Sequence, residues 1–256
     1  MTIDWLPEPK LTALRRVQAR DIAEVSGPRW SSRSQPKHAS NSSFFHGFAK
    51  RFRTVIADAA VLDGDVAQAR TWLPAATEAA AAALRLEHET HVGDISVYSA
   101  LALIAADPTL SEELTAIGSD RWNVPWVERD RAHDLLSVTL LAAVRSDWPS
   151  IEDPIAALAE RLADASCPPS TSEYLAGLPE LAGAVALKPR SADLEGLVAT
   201  RNTAYEAYIR ARLNDITGSA LIDWRGLGLV AAVRRRWSIP LDGITATFLP
   251  SELIAG

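Results

Sequence analysis

Apolar residues recur at helical spacing along most of this chain. Between Ser191 and Ile216 they return every three or four positions with charged residues on the opposite face, which predicts an amphipathic helix. The segment from Asp130 to Arg145 contains the run LLSVTLLAAV, which is apolar on nearly every side and predicts a central helix surrounded by others. Further helices are predicted over residues 65–72, 74–89, 94–106, 151–165 and 172–187, the last of which can divide into two short pieces. The pattern predicts an all-α fold, built as a single multi-helix bundle or as a solenoid-like domain.

Two stretches depart from this pattern. Residues 26–47, SGPRWSSRSQPKHASNSSFFHG, are polar, rich in serine and without periodicity, which predicts a long loop or arm. Residues 239–250, IPLDGITATFLP, end in alternating apolar and polar positions, which predicts a short extended segment. We therefore expect an N-terminal helix with a polar, Ser-rich loop or arm over residues 1–47, followed by a helical domain over residues 48–256.

Composition and charge narrow the possible partners. The 256 residues carry a formal net charge of −6, and 48% of them are hydrophobic, which is enough for a substantial buried core. Residues 1–60 hold ten Lys or Arg against five Asp or Glu, so the acidic excess lies in the rest of the chain. An acidic body argues against direct nucleic-acid binding and favours a basic protein partner.

Cysteine usage and hydropathy bear on the compartment. The single cysteine, Cys167, excludes an internal disulfide bond. The first thirty residues contain no apolar run followed by a small-residue cleavage site. No apolar stretch approaches the roughly eighteen uninterrupted residues that a bilayer requires. We expect a cytoplasmic protein without a membrane-spanning segment.

The glycines in DWRGLGLVAAVRRRW have two interpretations. Gly226, Gly228 and Ala231 have the G-x-G-x-x-A spacing of a dinucleotide-binding loop. That loop needs a strand before it, a helix after it and an acidic residue about twenty positions later. Only Glu252 lies near that offset, and too few residues follow for a second nucleotide-binding half. We therefore favour a last helix from about Ser219 to Arg236, in which small residues let a neighbouring helix approach closely.

His88, His91 and Cys167 are the other candidates for chemistry. The histidines lie three positions apart in LEHETHVGD, a spacing that shares one helical face. A zinc site needs three or four ligands, and the H-E-x-x-H spacing is absent, so a solvated helix end is the better interpretation. Cys167 in ASCPPS matches no catalytic-cysteine signature and is expected to be a loop thiol. We predict no catalytic residue, metal site or cofactor, and expect the protein not to be an enzyme.

The tryptophan content is the remaining feature of the sequence that bears on function, because the chain contains eight tryptophans. Trp122 and Trp126 flank NVP within the polar stretch GSDRWNVPWVERDRAHD. Tryptophan is a common anchor in protein interfaces because it buries a large, rigid surface. An aromatic residue in a loop between helices can equally pack onto its own core. This stretch is the first candidate for a partner-binding surface.

The C-terminal part of the chain resembles a known family. Residues 221–254, LIDWRGLGLVAAVRRRWSIPLDGITATFLPSELI, resemble the closing segment of the immunity protein 49 family, whose members are encoded beside polymorphic toxins. The shared features are a small-residue helix at 226–237, then Ile239 and Pro240, then a stretch that closes with LP and apolar residues at 248–254.

The resemblance also covers the middle of the chain. TWLPAATEAAAAALRL and DLLSVTLLAAVRSDWPSIED are similar to the family's helical body, so the resemblance spans about residues 44–254. Phe248 stands where many members have Tyr, and residues 26–47 match no family feature. No functional residue carries over.

The resemblance implies a helical, non-catalytic antidote that binds a cognate toxin domain and protects its producer and kin. Such toxins are often nucleases, and an acidic inhibitor suits a basic nuclease surface. On this hypothesis we predict a partner-binding surface that includes Trp122, Trp126, Asp130 and Asp134. Binding would occlude the toxin's active site or occur beside it, with no cofactor and no direct contact with nucleic acid or membrane.

Two other function classes stay open. A helical scaffold of the solenoid type, without an antitoxin role, would also bind a peptide or protein through exposed anchors. An enzyme would place His88, His91, Cys167 or the glycine motif in its active site. Metal analysis and a nucleotide-binding screen would test that last class.

Overall fold

A computed structural model describes the chain over residues 3–87, 90–117, 122–123, 131–244 and 246–255. The α-helices in these ranges are α1 Glu8–Ser26, α2 Pro28–Ser31, α3 Pro36–Ala39, α4 Ser42–Ala57, α5 Val66–Leu86, α6 Val92–Ala105, α7 Pro108–Ala116, α8 Arg131–Val144, α9 Glu152–Ala163, α10 Pro169–Leu175, α11 Leu178–Ala186, α12 Ser191–Ala211 and α13 Trp224–Trp237. A π-helical turn lies at Asp58–Leu62, and 3₁₀ turns lie at Pro149–Ile151, Gly218–Leu221 and Ser251–Leu253. Two short strands, β1 Thr90–His91 and β2 Trp122–Asn123, pair in parallel, with Thr90 opposite Trp122.

The helices form a bundle around α6, which confirms the predicted all-α fold. Helix α6 is apolar on nearly every side, and Ile95, Tyr98, Leu101 and Ile104 are each at most 1% exposed. It packs against α5, α7, α8 and α13, and α13 packs against α11 as well. A solenoid stacks only neighbouring units along the chain. Because the late helix α13 packs against the much earlier α6, the architecture is a bundle. In the described ranges, no helix combines the length and apolar character needed to cross a membrane.

The predicted helices at residues 65–72 and 74–89 form one continuous helix, α5. Pro74 lies inside it, although an interior proline costs about 3 kcal/mol. The helix continues through this position because Leu73 and Ala76 are buried on the same side of it. Packing against α4 and α7 therefore decides the conformation here.

Two other helix predictions are refined by the structure. The helix predicted to reach Ile216 ends earlier, since α12 stops at Ala211. The division expected within residues 172–187 is confirmed, because α10 and α11 are separated at Gly177. That residue has a φ of 79°, a left-handed conformation that favours glycine. The central helix predicted near Asp130–Arg145 is α8, whose residues from Leu136 onwards are largely buried.

The prediction of a loop over residues 26–47 is wrong. The segment contains α2, α3 and the start of α4, so the expected boundary after residue 47 falls inside α4. Trp30 is 8% exposed, and its ring lies 5.0 Å from each of two phenylalanine rings of α4. Asn41 caps α4 by accepting a hydrogen bond from the backbone N–H of Phe44 at 3.1 Å. Aromatic burial orders a segment whose serine-rich composition favours disorder.

The C-terminal segment folds back across the bundle and closes it. Phe248 is fully buried, and its backbone N–H donates to Oδ1 of Asn202 on α12 at 2.9 Å. The backbone N–H of Asp223 donates to the Phe248 carbonyl at 2.9 Å, and that of Ala255 donates to a carbonyl of α6 at 2.8 Å. The segment is non-helical until its 3₁₀ turn at Ser251–Leu253, and its described residues belong to no strand.

The glycine motif lies within α13, as the helical interpretation predicts. The helix begins at Trp224, later than the expected Ser219. A β-carbon at position 228 would lie 2.6 Å from Cβ and 2.7 Å from Cα of Ala100 in α6. A β-carbon at position 226 would lie 2.2 Å from Oδ2 of Asp223. Glycine at position 228 lets α13 approach α6 closely. Glycine at position 226 leaves room for the side chain of Asp223, the residue that precedes α13.

Replacing Gly228 with alanine should destabilise the protein by about 1–3 kcal/mol, because the backbone of Ala100 has to move to admit the methyl group. Gly196→Ala is the matched control, since that position in α12 faces open space. Alanine there should stabilise the helix by about 0.5–1 kcal/mol. Urea unfolding followed by circular dichroism measures both effects. Equal changes in the two variants would contradict the close contact between α6 and α13.

Asp58, the first residue of the π-helical turn, is a buried carboxyl group. It is 0% exposed, and neither of its oxygens has a hydrogen-bond partner among the described residues. Burial, reinforced by the negative charges of Asp63 and Asp21, raises the pKa of Asp58 to about 8. At neutral pH the folded protein therefore holds a proton on Asp58 that the unfolded chain releases.

Asp58 should make the protein less stable as the pH rises from about 4 to about 8, because the folded state binds one more proton than the unfolded state in this range. The variant Asp58→Asn lacks this titration. We expect its free energy of unfolding, minus that of the wild type, to grow by up to about 1.4 kcal/mol per pH unit. Chemical denaturation at several pH values measures the difference. A difference that stays constant with pH would contradict the raised pKa.

Candidate functional site

A group of polar side chains gathers where α6, α8 and α13 begin. This polar cluster consists of His46 and Arg53 from α4, Glu87 after α5, Asp94, Ser96 and Tyr98 from α6, Tyr174 from α10 and Arg225 from α13. Each of these side chains is partly or fully buried. The free N–H groups and the dipoles of helix N-termini create a positive potential. The charged side chains of the cluster therefore lie at an end of the bundle where helix N-termini favour negative charge.

Tyr98 anchors one side of the polar cluster. Its hydroxyl lies 2.6 Å from Nδ1 of His46, and Nε2 of the same ring contacts a carboxylate oxygen of Glu87. The rings of His46 and Tyr98 are stacked with their centroids 5.7 Å apart. Burial raises the pKa of the Tyr98 phenol, and the charge of Asp94 raises it further. Tyr98 therefore keeps its proton at neutral pH.

Arg225 links three helices on the other side of the cluster. It lies in the first turn of α13, and its Nε donates to Oγ of Ser96 on α6 at 2.8 Å. Its Nη1 donates to the hydroxyl oxygen of Tyr174 on α10. The Tyr174 ring in turn lies 5.9 Å from the ring of His133 in α8. Arg225 thus connects the beginning of α13 to α6 through the hydroxyl of Ser96 and to α10 through the hydroxyl of Tyr174.

Arg53 is the second arginine of the cluster. Its guanidinium carbon lies 6.0 Å from the centroid of the Tyr98 ring. Its Nε is buried, and the side chain forms no hydrogen bond or ion pair within the described ranges. Burial lowers the pKa of the Arg53 guanidinium, Tyr98 and Asp94 raise it, and the positive charge of Arg225 lowers it.

A buried ion pair positions two members of the cluster. Arg201 of α12 is 0% exposed, and its Nε donates to Oδ2 of Asp223 at 2.6 Å. Its Nη1 donates to the backbone carbonyls of Tyr174 and Ala176, at 2.8 and 2.7 Å. Asp223 directly precedes α13, and Tyr174 lies in the last turn of α10. The ion pair therefore fixes Tyr174 and the start of the helix that carries Arg225.

Arg201→Leu should destabilise the protein by about 3–5 kcal/mol, because it leaves the Asp223 carboxylate buried without its counter-ion. Combining it with Asp223→Asn removes the uncompensated charge and should recover part of that loss. Urea denaturation of the single and double variants gives the comparison. A double variant that is no more stable than Arg201→Leu would show that the charge of Asp223 is not the cause.

The structure describes part of the predicted partner-binding surface. Trp122 lies in β2, whose pairing with β1 places its backbone beside the residues that precede α6. Trp126 and Asp130 lie outside the described residues. Asp134 is partly buried in the first turn of α8, beside His133. The two placed positions thus adjoin the beginnings of α6 and α8, where the polar cluster lies.

The remaining sequence candidates do not form a site in the described structure. His88 lies outside the described residues, and His91 is placed by its backbone alone, in β1. Cys167 is 8% exposed, with its Sγ 3.8 Å from the carbonyl of Pro168. Within the described part of the chain, no three His, Cys, Asp or Glu side chains are grouped to hold a metal ion.

Most members of the polar cluster belong to no recognisable motif in the sequence. Arg225 lies directly before Gly226 of the glycine motif, and that motif is defined by its small residues alone. Arg53 follows the buried Phe52 in KRFRT, where the sequence does not distinguish it from its basic neighbours Lys50 and Arg51. Nothing in the local pattern indicates that these two arginines belong to one cluster.

Comparisons with models of protein families, with curated proteins and with solved structures find no match to this chain. The resemblance to the immunity protein 49 family therefore rests on the residues quoted above.

Proposed function

We propose that this protein is an immunity protein, which binds and neutralises a cognate toxin domain by stoichiometric occlusion. The resemblance of residues 221–254 to the immunity protein 49 family supports this proposal, and so does the all-helical fold. The observation that carries it is an acidic layer formed by α9, α10, α11 and α12. On this proposal the protein acts in the cytoplasm and needs no cofactor.

The acidic layer consists of four helices that pack against one another, α9 with α10 and α11, and α12 with α10 and α11. Across these helices and the loops between them, residues 152–211, nine acidic side chains stand against five basic ones. Five exposed carboxylates there have no ion-pair or hydrogen-bond partner among the described residues: Glu152, Asp153, Glu160, Glu180 and Glu195. Exposed carboxylates without an internal partner are available to a basic surface.

Helix α9 shows the character of this layer most clearly. Glu152, Asp153 and Glu160 lie on its exposed face, and the exposed positions between and after them are Ala156, Ala159 and Ala163. Alanine side chains are short, so a partner's basic residues can reach the carboxylates without displacing bulky groups. Nucleases need basic surfaces to hold phosphates, and an acidic inhibitor complements such a surface.

Trp122, Trp126, Asp130 and Asp134 are proposed to contribute the anchor side chains of the toxin interface. Helix α8, which follows this segment, packs directly against α9. An interface that combines aromatic anchors with surrounding carboxylates fits the usual division between a buried centre and a charged rim.

Co-expression tests the proposal directly. A toxin domain encoded beside this gene should arrest growth when it is expressed alone, and should be tolerated when this protein is present. Size-exclusion chromatography should show the two proteins in one stoichiometric complex. Persistent killing despite soluble expression of this protein would count against an antitoxin role. A pull-down from the source strain that recovers a partner unrelated to any toxin would favour the scaffold alternative.

Neutralising the exposed face of α9 should slow toxin association. In the triple variant Glu152→Gln, Asp153→Asn, Glu160→Gln, we expect the association rate constant at low salt to fall by about tenfold, and the difference to shrink at high salt. The control Glu8→Gln, Asp242→Asn, Glu252→Gln changes the net charge equally at exposed positions outside the layer. Stopped-flow or surface plasmon resonance measures both. Equal slowing in the two variants would exclude a specific role for α9.

A further inference from the structure

A cavity opens where α1 and α4 meet the 3₁₀ turn at Gly218–Leu221. Its volume is about 430 Å³, which is within the usual range for pockets that bind small molecules. Helix α1 lines it with Leu14 and Val17, and the segment that precedes the turn adds Ile216. The cavity therefore has an apolar wall that can cover part of a ligand.

Positive charge dominates the polar part of this cavity. Among its described lining residues one, Asp21, is acidic and four are basic, Lys10 and Arg20 from α1 and Lys50 and Arg51 from α4. The cavity beside the C-terminal segment is balanced by comparison, since its charged lining residues are Arg70, Arg234, Asp242 and Glu252. The chain as a whole carries a net charge of −6, so the basic excess of residues 1–60 is partly concentrated at this cavity.

The contacts of Asp21 bring two of the guanidinium groups to one place. Asp21 is 4% exposed, and its Oδ1 accepts hydrogen bonds from Nε and Nη2 of Arg20 at 3.3 and 3.2 Å. The same oxygen lies 3.9 Å from Nε of Arg51. Glycine at position 47 gives Arg51 room beside α4, because a β-carbon there would lie 3.3 Å from its Nη1. One carboxylate thus lies beside two arginines, so the group as a whole keeps a net positive charge.

Lys10 connects α1 to the segment that closes the cavity. Its Nζ donates to the backbone carbonyls of Asn214 at 3.1 Å and Ile216 at 2.9 Å. Carbonyl oxygens orient the ammonium group but carry no net charge, so its positive charge is retained. The 3₁₀ turn packs closely on α4, since a β-carbon at Gly218 would lie 2.6 Å from Cγ2 of Thr54. The cavity is therefore bounded by two packed helices and a turn that is fixed against both.

We propose that this cavity binds a small anionic molecule, in which a phosphate or carboxylate head group is attached to an apolar group. Arginine and lysine side chains bind both head groups through charge-assisted hydrogen bonds. Leu14, Val17 and Ile216 cover the apolar group, because burial of apolar surface is favourable. The cavity shares no residue with the acidic layer of α9 to α12, so the proposal does not depend on the antitoxin role.

Calorimetric titration at constant ionic strength tests this site with two probes, phenyl phosphate and benzoate. At least one of them should bind about tenfold more tightly than its head group alone, inorganic phosphate or acetate, because its ring is buried on the apolar wall. Benzyl alcohol keeps a ring without the charge and should bind more weakly than that probe. The tighter probe identifies the head group. If neither probe exceeds its head group, or if benzyl alcohol binds as tightly as the probes, the proposal is wrong.

Removing single charges separates this cavity from a general effect of net charge. Arg51→Gln should weaken binding of the tighter probe about tenfold, because it removes a charge-assisted hydrogen bond to the head group. The control Arg16→Gln removes an exposed arginine of α1 that does not line the cavity, and it should leave the affinity unchanged. Should Arg51→Gln fail to fold, Lys50→Gln makes the same test at an exposed position. Equal losses at the cavity and in Arg16→Gln would overturn the proposal.

Two exposed alanines of α1 form a matched pair for filling the cavity. Ala13 lines the cavity and Ala19 does not. Ala13→Phe should occupy the space of the ligand and abolish binding of the probe, whereas Ala19→Phe should bind it like the wild type. Circular dichroism shows that each variant is folded before titration. Undiminished binding by folded Ala13→Phe would show that the probe binds elsewhere and would refute the assignment of this cavity.

Discussion

The buried ion pair between Arg201 and Asp223 determines how the second half of the bundle is assembled. Arg201 comes from α12, Asp223 directly precedes α13, and the carbonyls of Tyr174 and Ala176 lie at the end of α10. Removing two charges from water costs several kcal/mol, and only good geometry with additional hydrogen bonds offsets that cost. The three helices must therefore be in place together. The pair makes their arrangement cooperative, and it positions Tyr174 and Arg225 of the polar cluster.

The N-terminal part of α6 and the rest of this helix have different surroundings. Along most of its length α6 is surrounded by apolar side chains, and at Ala100 it approaches the backbone of α13 so closely that only glycine fits opposite. Its first two turns instead carry Asp94, whose charge raises the pKa of Arg53, and Ser96, whose Oγ accepts a hydrogen bond from Arg225 of α13. The closely packed helix α6 therefore carries polar side chains near its N-terminus. Side chains held on packed helices keep their positions better than side chains on loops.

The fold was largely predictable from the sequence, because helical periodicity and apolar content are local properties. The helix that contains Gly226 and Gly228 and the break at Gly177 follow from local pattern in this sense. Trp30 escaped prediction because its burial depends on phenylalanines that lie farther along the chain. The partners of Arg53, Arg201 and Arg225 come from three-dimensional proximity alone. A charged residue shows its environment only when the neighbouring helices are in place, so the polar cluster could not be read from spacing.

The closure of α6 by residues that lie far later in the chain has a consequence for synthesis. Helix α13 packs against α6, Ala255 donates a backbone hydrogen bond to Ile104 in its last turn, and both are made long after α6 leaves the ribosome. Until then an apolar helix has no cover on that side, and contacts between distant parts of a chain form slowly. A nascent molecule is therefore exposed to chaperones and proteases for the time needed to translate the intervening helices. The amount of active protein in a cell should depend on how quickly the helices between α6 and α13 are translated.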